Sequence, residues 1–166
     1  LKKAAEARDE QVKRLRAQSD ARDAQIKMLR YQLNPHFLYN TLNAINSLIE
    51  VNESESAQGM TVQLSRFLRH SLENNPDTKI TLENEIKALN LYLEIEKTRF
   101  GDRLNLDFHI EPEAKSAAVP SLLLQPIIEN SMKHAIAQSE VGGTISLYAN
   151  VENNRLIIQL SDTGSG

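Results

Sequence analysis

The sequence predicts an α plus α/β protein: an N-terminal coiled-coil helix and a helical bundle over the first hundred residues, then an α/β part. Three observations lead there. Apolar and small residues recur at a 3,4 spacing through residues 1–33, and helical periodicity persists from 35 to 100. From Leu104 the texture changes to strict alternation in "LNLDFHI", with a tight-turn pair, Asn153-Asn154, further on.

The first element spans residues 1–33, with Val12, Leu15, Ser19, Arg22, Ile26, Leu29 and Leu33 on one seam. Two polar positions in its centre make this a weakly held coiled coil that needs a partner helix, roughly 50 Å long at 1.5 Å per residue. A solvated charged helix is the plainer alternative. Pro35 then interrupts the pattern. Taking about 100° per residue, the apolar stripe jumps by about a third of a turn across it, to Leu38, Leu42, Ile45, Leu48 and Ile49. A proline lacks the N–H that would continue the helix, so the chain restarts where the buried face must change, with Asn34 suited to the N-cap and Pro35 to the first helical position.

Residues 54–74 predict another helix, with Met60, Leu64, Phe67, Leu68 and Ser71 inward and Arg66, Arg69 and His70 outward. "TLENEIKALNLYLEIEKTRFG" predicts the next: Thr81 as N-cap, Glu83 and Glu85 in the first turn, Leu82, Ile86, Leu89, Leu93 and Phe100 on one stripe, and Gly101 as the stop. Leu104, Leu106, Phe108 and Ile110 then share one side of a half-buried strand. "PSLLLQPIIENSMKHAI" reads as a helix opened by Pro120, with Ile127, Ile128, Ser131 and Ala135 towards the core, and "GTISLYANV" and "RLIIQLS" as a hairpin. The domains expected are 1–33 (coiled-coil helix), 34–100 (dimerising helical domain) and 101–166 (α/β).

Composition narrows the function. Net charge is -3 with acids and bases interspersed, which gives no basic stripe for direct nucleic-acid binding. The absence of cysteine excludes a disulfide, a thiolate nucleophile and a cysteine-ligated zinc site. The four histidines lack metal-motif spacing, and no apolar run approaches the roughly 20 residues that span a bilayer. The start at Leu1 and the final "SDTGSG" predict a piece of a longer chain, so any membrane segment is expected outside it.

Two groups of residues carry candidate chemistry. His36, Asn40, Asn43 and Ser47 fall within about 40° of one another, opposite the apolar arc, so the imidazole stands on the wet face of its helix. Near neutral pH an imidazole offers a nitrogen lone pair for an electrophile or a metal, although a lone exposed histidine is commonly no site at all. The second group is "IIENSMKHAI" with the later "DTGSG". Asn130 and Lys133 lie one turn apart beside Glu129; an amide oxygen suits Mg²⁺, and a lysine can neutralise phosphate. Asp162 supplies a carboxylate at a strand end, and the glycines let backbone approach a planar ligand. Taken singly, Asn130 could be an ordinary surface residue and Asp162 the start of an Asx-turn.

The stretch "QLNPHFLYNTLNAINSLI" resembles the signature of the LytS-like sensor histidine kinases, through Gln32, Asn34, Pro35, His36, Phe37, Asn40 and Asn43. The resemblance continues through "LSRFLRHSL", "ITLENEIKALNLYLEIEKTRFGDRL" and "VPSLLLQPIIENSMKHAI", essentially everything after about residue 30. It implies that His36 is the phosphoacceptor, flanked by Asn40 and Asn43. It also implies an ATP-binding α/β sandwich of the histidine-kinase type, truncated here because the ATP lid and second glycine box should follow Gly166. By the same resemblance Asn130 would ligate Mg²⁺, Lys133 and His134 would lie near the phosphates, Asp162 would meet the adenine amino group, and Gly164 and Gly166 would shape the pocket.

The expected protein is thus the cytoplasmic core of a bacterial inner-membrane sensor, a homodimer. It would autophosphorylate His36 from Mg-ATP and pass the phosphoryl group to a response-regulator aspartate, with the truncated stretch inactive alone. The rival readings are a non-catalytic dimeric signalling module and a free-standing ATPase of the same nucleotide fold.

Overall fold

The computed structural model describes residues 1–32, 34–73 and 78–164, and the side chains of these outside 25–32. Residues 1–40 and 41–166 form two compact units, taken here in turn.

The first unit is built from two helices. Helix α1, Lys2–Gln32, is continuous, and residues 1–24, including Val12 and Leu15 of the expected seam, are all exposed. The side chains of Ile26 and Leu29, and Leu33 as a whole, lie outside the described residues. Helix α2, Pro35–Glu50, begins as the sequence expects. The Asn34 side-chain oxygen accepts the N–H groups of His36 (3.1 Å) and Phe37 (3.3 Å), and its carbonyl accepts that of Leu38 (3.1 Å). Pro35 occupies the first turn, where a missing N–H costs nothing.

The division between the units falls inside α2, whose second half opens the larger one. There Thr41 is buried, whereas Leu42 and Ile49, both on the predicted apolar arc, are each 56% exposed. A turn through Asn52, at φ 62°, leads to helix α3, Ser54–Glu73, which buries Ala57, Met60, Leu64 and Phe67 and packs on α4; Leu68 and Ser71 are half-buried. Helix α4, Leu82–Phe100, has the expected ends: the Thr81 hydroxyl accepts the Asn84 N–H at 3.2 Å, and Gly101 closes it at φ 57°.

Two sheets flank α4. Strand β1, Lys79–Thr81, pairs antiparallel with β3, Ala118–Pro120. The larger sheet has the order β2-β4-β5, with β2 (Leu104–Ile110) parallel to β4 (Gly143–Glu152) and β5 (Arg155–Asp162) antiparallel to β4. Asn153 and Asn154 join β4 to β5 at φ 51° and 64°, the two positive values a tight primed turn requires. Leu104, Ile145, Leu147 and Ala149 fill the core with Ile128, Met132 and Ile136 from the crossover. In β2 the alternation is incomplete, because Leu106 is exposed.

The crossover corrects the reading of "PSLLLQPIIENSMKHAI". Pro120 does not open the helix; it ends β3, at a strand end where a missing N–H is tolerated. Short helix α5 (Pro112–Lys115) precedes that strand, and helix α6 spans Gln125–Ser131, with Pro126 rather than Pro120 in its first turn. Ile127 is also not a core residue, being 47% exposed. After Ser131 the chain widens into a π turn, Met132–Ile136, in which the Ala137 N–H reaches the Met132 carbonyl at 2.9 Å.

Candidate functional site

His36 is the second residue of α2 and is exposed, with its backbone N–H held by the Asn34 cap. Side chains on a helix tilt towards its N-terminus, so the imidazole stands at the positive end of a 16-residue helix. Asn40 is half-buried and Asn43 exposed, at four- and seven-residue spacing along the same helix.

The second group assembles within the larger unit. Asn130, Lys133 and His134 are all exposed, while Ser131, Met132, Ala135 and Ile136 are buried. The π turn therefore anchors on its apolar members and presents the polar ones to solvent. Such turns are frequent where helices carry function. The end of β5 is pressed against it: a β-carbon added at Gly164 would lie 3.1 Å from both Cα and Cβ of Ala135. The Thr163 hydroxyl accepts the Thr144 N–H at 3.1 Å, and the Thr163 N–H reaches the Thr144 carbonyl at 3.2 Å. A β-carbon at Gly143 would sit 2.3 Å from that hydroxyl. Glycine thus makes the close approach of β4, β5 and the π turn possible, and it brings "DTG" beside the segment that carries Lys133 and His134.

Asp162 is exposed, and one carboxylate oxygen accepts the Gly164 N–H at 2.9 Å. This is the Asx-turn that the sequence allowed, and it stiffens the strand end while leaving the carboxylate at the surface. Gly166 lies outside the described residues. The two described concavities are elsewhere. One, of about 190 Å³, lies on the sheet face around Asp107, His109, Tyr148 and Gln159; the other, of about 390 Å³, lies among α3, α4 and Leu106.

The sequence reading missed a polar layer under α6. Glu85, expected in the first turn of α4, is 1% exposed and accepts the backbone N–H groups of Leu122 and Leu124, each at 3.1 Å. Further along α4, buried Glu96 pairs with Arg99 at 3.1 Å. Burial holds the Glu96 carboxyl above the ordinary carboxylate range; Arg99 pulls it down and Glu129 pushes it up. Burial, with Glu96 and Glu129, likewise pushes the Tyr92 phenol well above its ordinary value. Glu129, next to Asn130, accepts the Gln125 side-chain amide at 3.1 Å. The signal was available: Glu85, Tyr92 and Glu96 lie three or seven places from Leu82 and Leu89, on the apolar stripe itself.

A nucleotide's demands can be set against these residues. Gly164 leaves no side chain between the strand end and the helix, Asp162 offers a surface acceptor, and Lys133 and His134 offer donors. Asn130 contributes one neutral oxygen, enough for a Mg²⁺ whose remaining positions are filled by phosphate and water. Among the described residues no cluster of three or more His, Asp or Glu could hold a cation alone. The residue types present are those a Mg-ATP complex calls for.

A histidine kinase family model matches residues 24–104, which include His36, Asn40 and Asn43. Over 135 residues, 81% of the chain, it is 36% identical to the sensor protein LytS of Staphylococcus haemolyticus and 38% identical to the sensor histidine kinase YpdA of Escherichia coli. The chain belongs to the LytS-like histidine kinase family. A further relative, the sensor histidine kinase BtsS of Escherichia coli, is 39% identical over 131 residues. The chain spans about a quarter of the length of these relatives, 23% of LytS and BtsS and 24% of YpdA. In this LytS-like chain, no helix among the described residues is long and apolar enough to cross a membrane.

Proposed function

We propose that this chain is the signalling core of a two-component sensor kinase in which His36 accepts a phosphoryl group from Mg-ATP and delivers it to an aspartate of a response regulator. The observation that carries the reading is the restart at Asn34 and Pro35, which leaves an exposed imidazole in the first turn of a capped helix within the histidine kinase match.

Mg-ATP would supply the transferable γ-phosphoryl group. An imidazole nitrogen of His36 attacks the γ-phosphorus in line, the N–P bond forming as the bond to the ADP oxygen breaks and the ring proton passing to solvent. The positive end of α2 favours the anionic product by about 0.3–1 kcal/mol. Asn40 and Asn43 orient the ring or the incoming phosphate. On the nucleotide side Asn130 would hold the metal, Lys133 and His134 would neutralise phosphate charge, Asp162 would accept from the adenine amino group, and Gly164 and Gly166 would shape the pocket.

Residues 1–33 serve as the signalling helix, 34–100 as the dimerising phosphoacceptor domain and 101–166 as part of the ATP-binding domain. Homodimerisation is supported by the uncovered apolar residues Val12 and Leu15 of α1 and Leu42 and Ile49 of α2. The charged, cysteine-free chain suits the cytoplasmic side of a bacterial inner-membrane sensor.

The test is labelling by γ-labelled Mg-ATP of the full-length protein, its His36→Gln variant and residues 1–166 alone. Acid-labile, base-stable label is expected on the full-length protein and absent from His36→Gln. No label on a folded full-length dimer would favour a non-catalytic signalling module, and phosphate release without label would favour a free ATPase.

A further inference from the structure

We propose that Glu85 and Arg103, at the two ends of α4, are positioning residues that hold the Asn130-bearing helix from both sides and thereby set nucleotide affinity. The inference rests on the nucleotide reading given above and adds to it the device that fixes the site.

At the front end, Leu124 is the residue before α6, and no side chain within the helix caps it. The cap comes from α4: the buried Glu85 carboxylate takes the N–H groups of Leu122 and Leu124, one on each oxygen. Leu122 sits at φ 63°, a conformation a branched, β-carbon-bearing residue adopts only when its surroundings hold it there. At the rear end, the Arg103 guanidinium donates to the carbonyls of Ile136, at 3.3 Å, and Ser139. These lie at and just beyond the end of the π turn. Phe100 lies 5.5 Å from that guanidinium, with Arg99 4.6 Å from the same ring. The backbone closes the grip: Gly142, at φ 82°, lies so near Arg103 that an added β-carbon would fall 2.0 Å from the Arg103 carbonyl oxygen.

Asn130, Lys133 and His134 are therefore strung between two fixed points belonging to α4 and its end. Glu85 is buried and Arg103 half-buried, and both are engaged with backbone groups at the ends of this segment, so each acts through the segment it holds. A displacement of α4 along or about its axis moves the proposed nucleotide-facing groups with it.

The experiment is a double-mutant cycle in the full-length protein, read as the Kd of a fluorescent ATP analogue with Mg²⁺. Asn130→Ala should weaken binding; if it leaves Kd unchanged, the nucleotide reading falls and this proposal with it. Glu85→Gln, which replaces one acceptor oxygen with a donor facing an N–H, should raise Kd about tenfold in the wild type. In the Asn130→Ala background the same change should raise it about twofold or less, because the group it positions is gone. Equal fold-changes in both backgrounds, or no change in the wild type, would overturn the positioning role while leaving the nucleotide reading intact. Arg103→Lys keeps the charge and loses the fork; it should show the same dependence on Asn130, and it decides the matter if Glu85→Gln does not fold.

Discussion

The helices that carry the two candidate groups are built in opposite ways. Helix α2 makes its own start: Asn34 caps it, Pro35 fixes its first turn, and part of its apolar arc remains uncovered. Helix α6 is seven residues long, lacks a side-chain cap of its own, and depends on a carboxylate 37 and 39 residues away in sequence. A helix so short is not stable by propensity. The helix that carries His36 is thus locally specified and leaves apolar residues uncovered, whereas the helix that carries Asn130 is specified by the tertiary structure around it.

That contrast can be broken by substitutions of graded effect. The largest should come from Glu85→Ala, which leaves one buried and one part-buried N–H group without an acceptor and should cost about 2–5 kcal/mol. Urea denaturation of residues 1–166 would read it, and a loss under about 1 kcal/mol would mean that α6 does not need the clamp. Asn34→Ala should cost about 1 kcal/mol, the worth of an N-cap. Hydrogen exchange should quicken at the His36 and Phe37 amides and not in α6; protection lost equally in both would erase the distinction.

A pH-dependent effect follows from Glu96. Its folded carboxyl keeps the proton to higher pH than the unfolded one, so stability is full below the ordinary value of 4.5 and falls as pH rises through the folded value. Glu96→Gln should flatten that fall; an unchanged slope in pH-dependent melts would show that the burial penalty is relieved some other way. The smallest effect on the monomer should come from Leu42→Gln with Ile49→Gln, within about 0.5 kcal/mol for exposed positions. The same pair should weaken self-association in sedimentation velocity, and unaltered association would remove α2 from the dimer surface.

Legibility in the sequence followed the same divide. The Asn34 cap, the Pro35 restart, the Thr81 and Gly101 ends of α4 and the Asn153-Asn154 turn are decided within four residues, and all could be read from the chain. The start of α6 could not. Two prolines competed for it, and the choice was made by β1, which pairs with residues 118–120 and makes Pro120 a strand end. Glu85 was read only as an acid in the first turn of α4; its partners, the N–H groups of Leu122 and Leu124, lie 37 and 39 residues away and meet it only once the chain packs. Among the site residues, the chain order of "IIENSMKHAI" and "DTG" was visible, but their contact through Gly164 and Ala135 was not.

The π turn at Met132–Ile136 makes residue count part of the site's chemistry. Its i to i+5 bond accommodates one residue more than an α-helical turn would. A further residue inserted there, beyond the one that the wider turn already absorbs, would rotate everything after it by about 100°. Ala135 would leave Gly164, and Ile136 would leave both the core and the Arg103 guanidinium. An insertion of one residue, with every side-chain type retained, should therefore be harsher than most substitutions in the same segment.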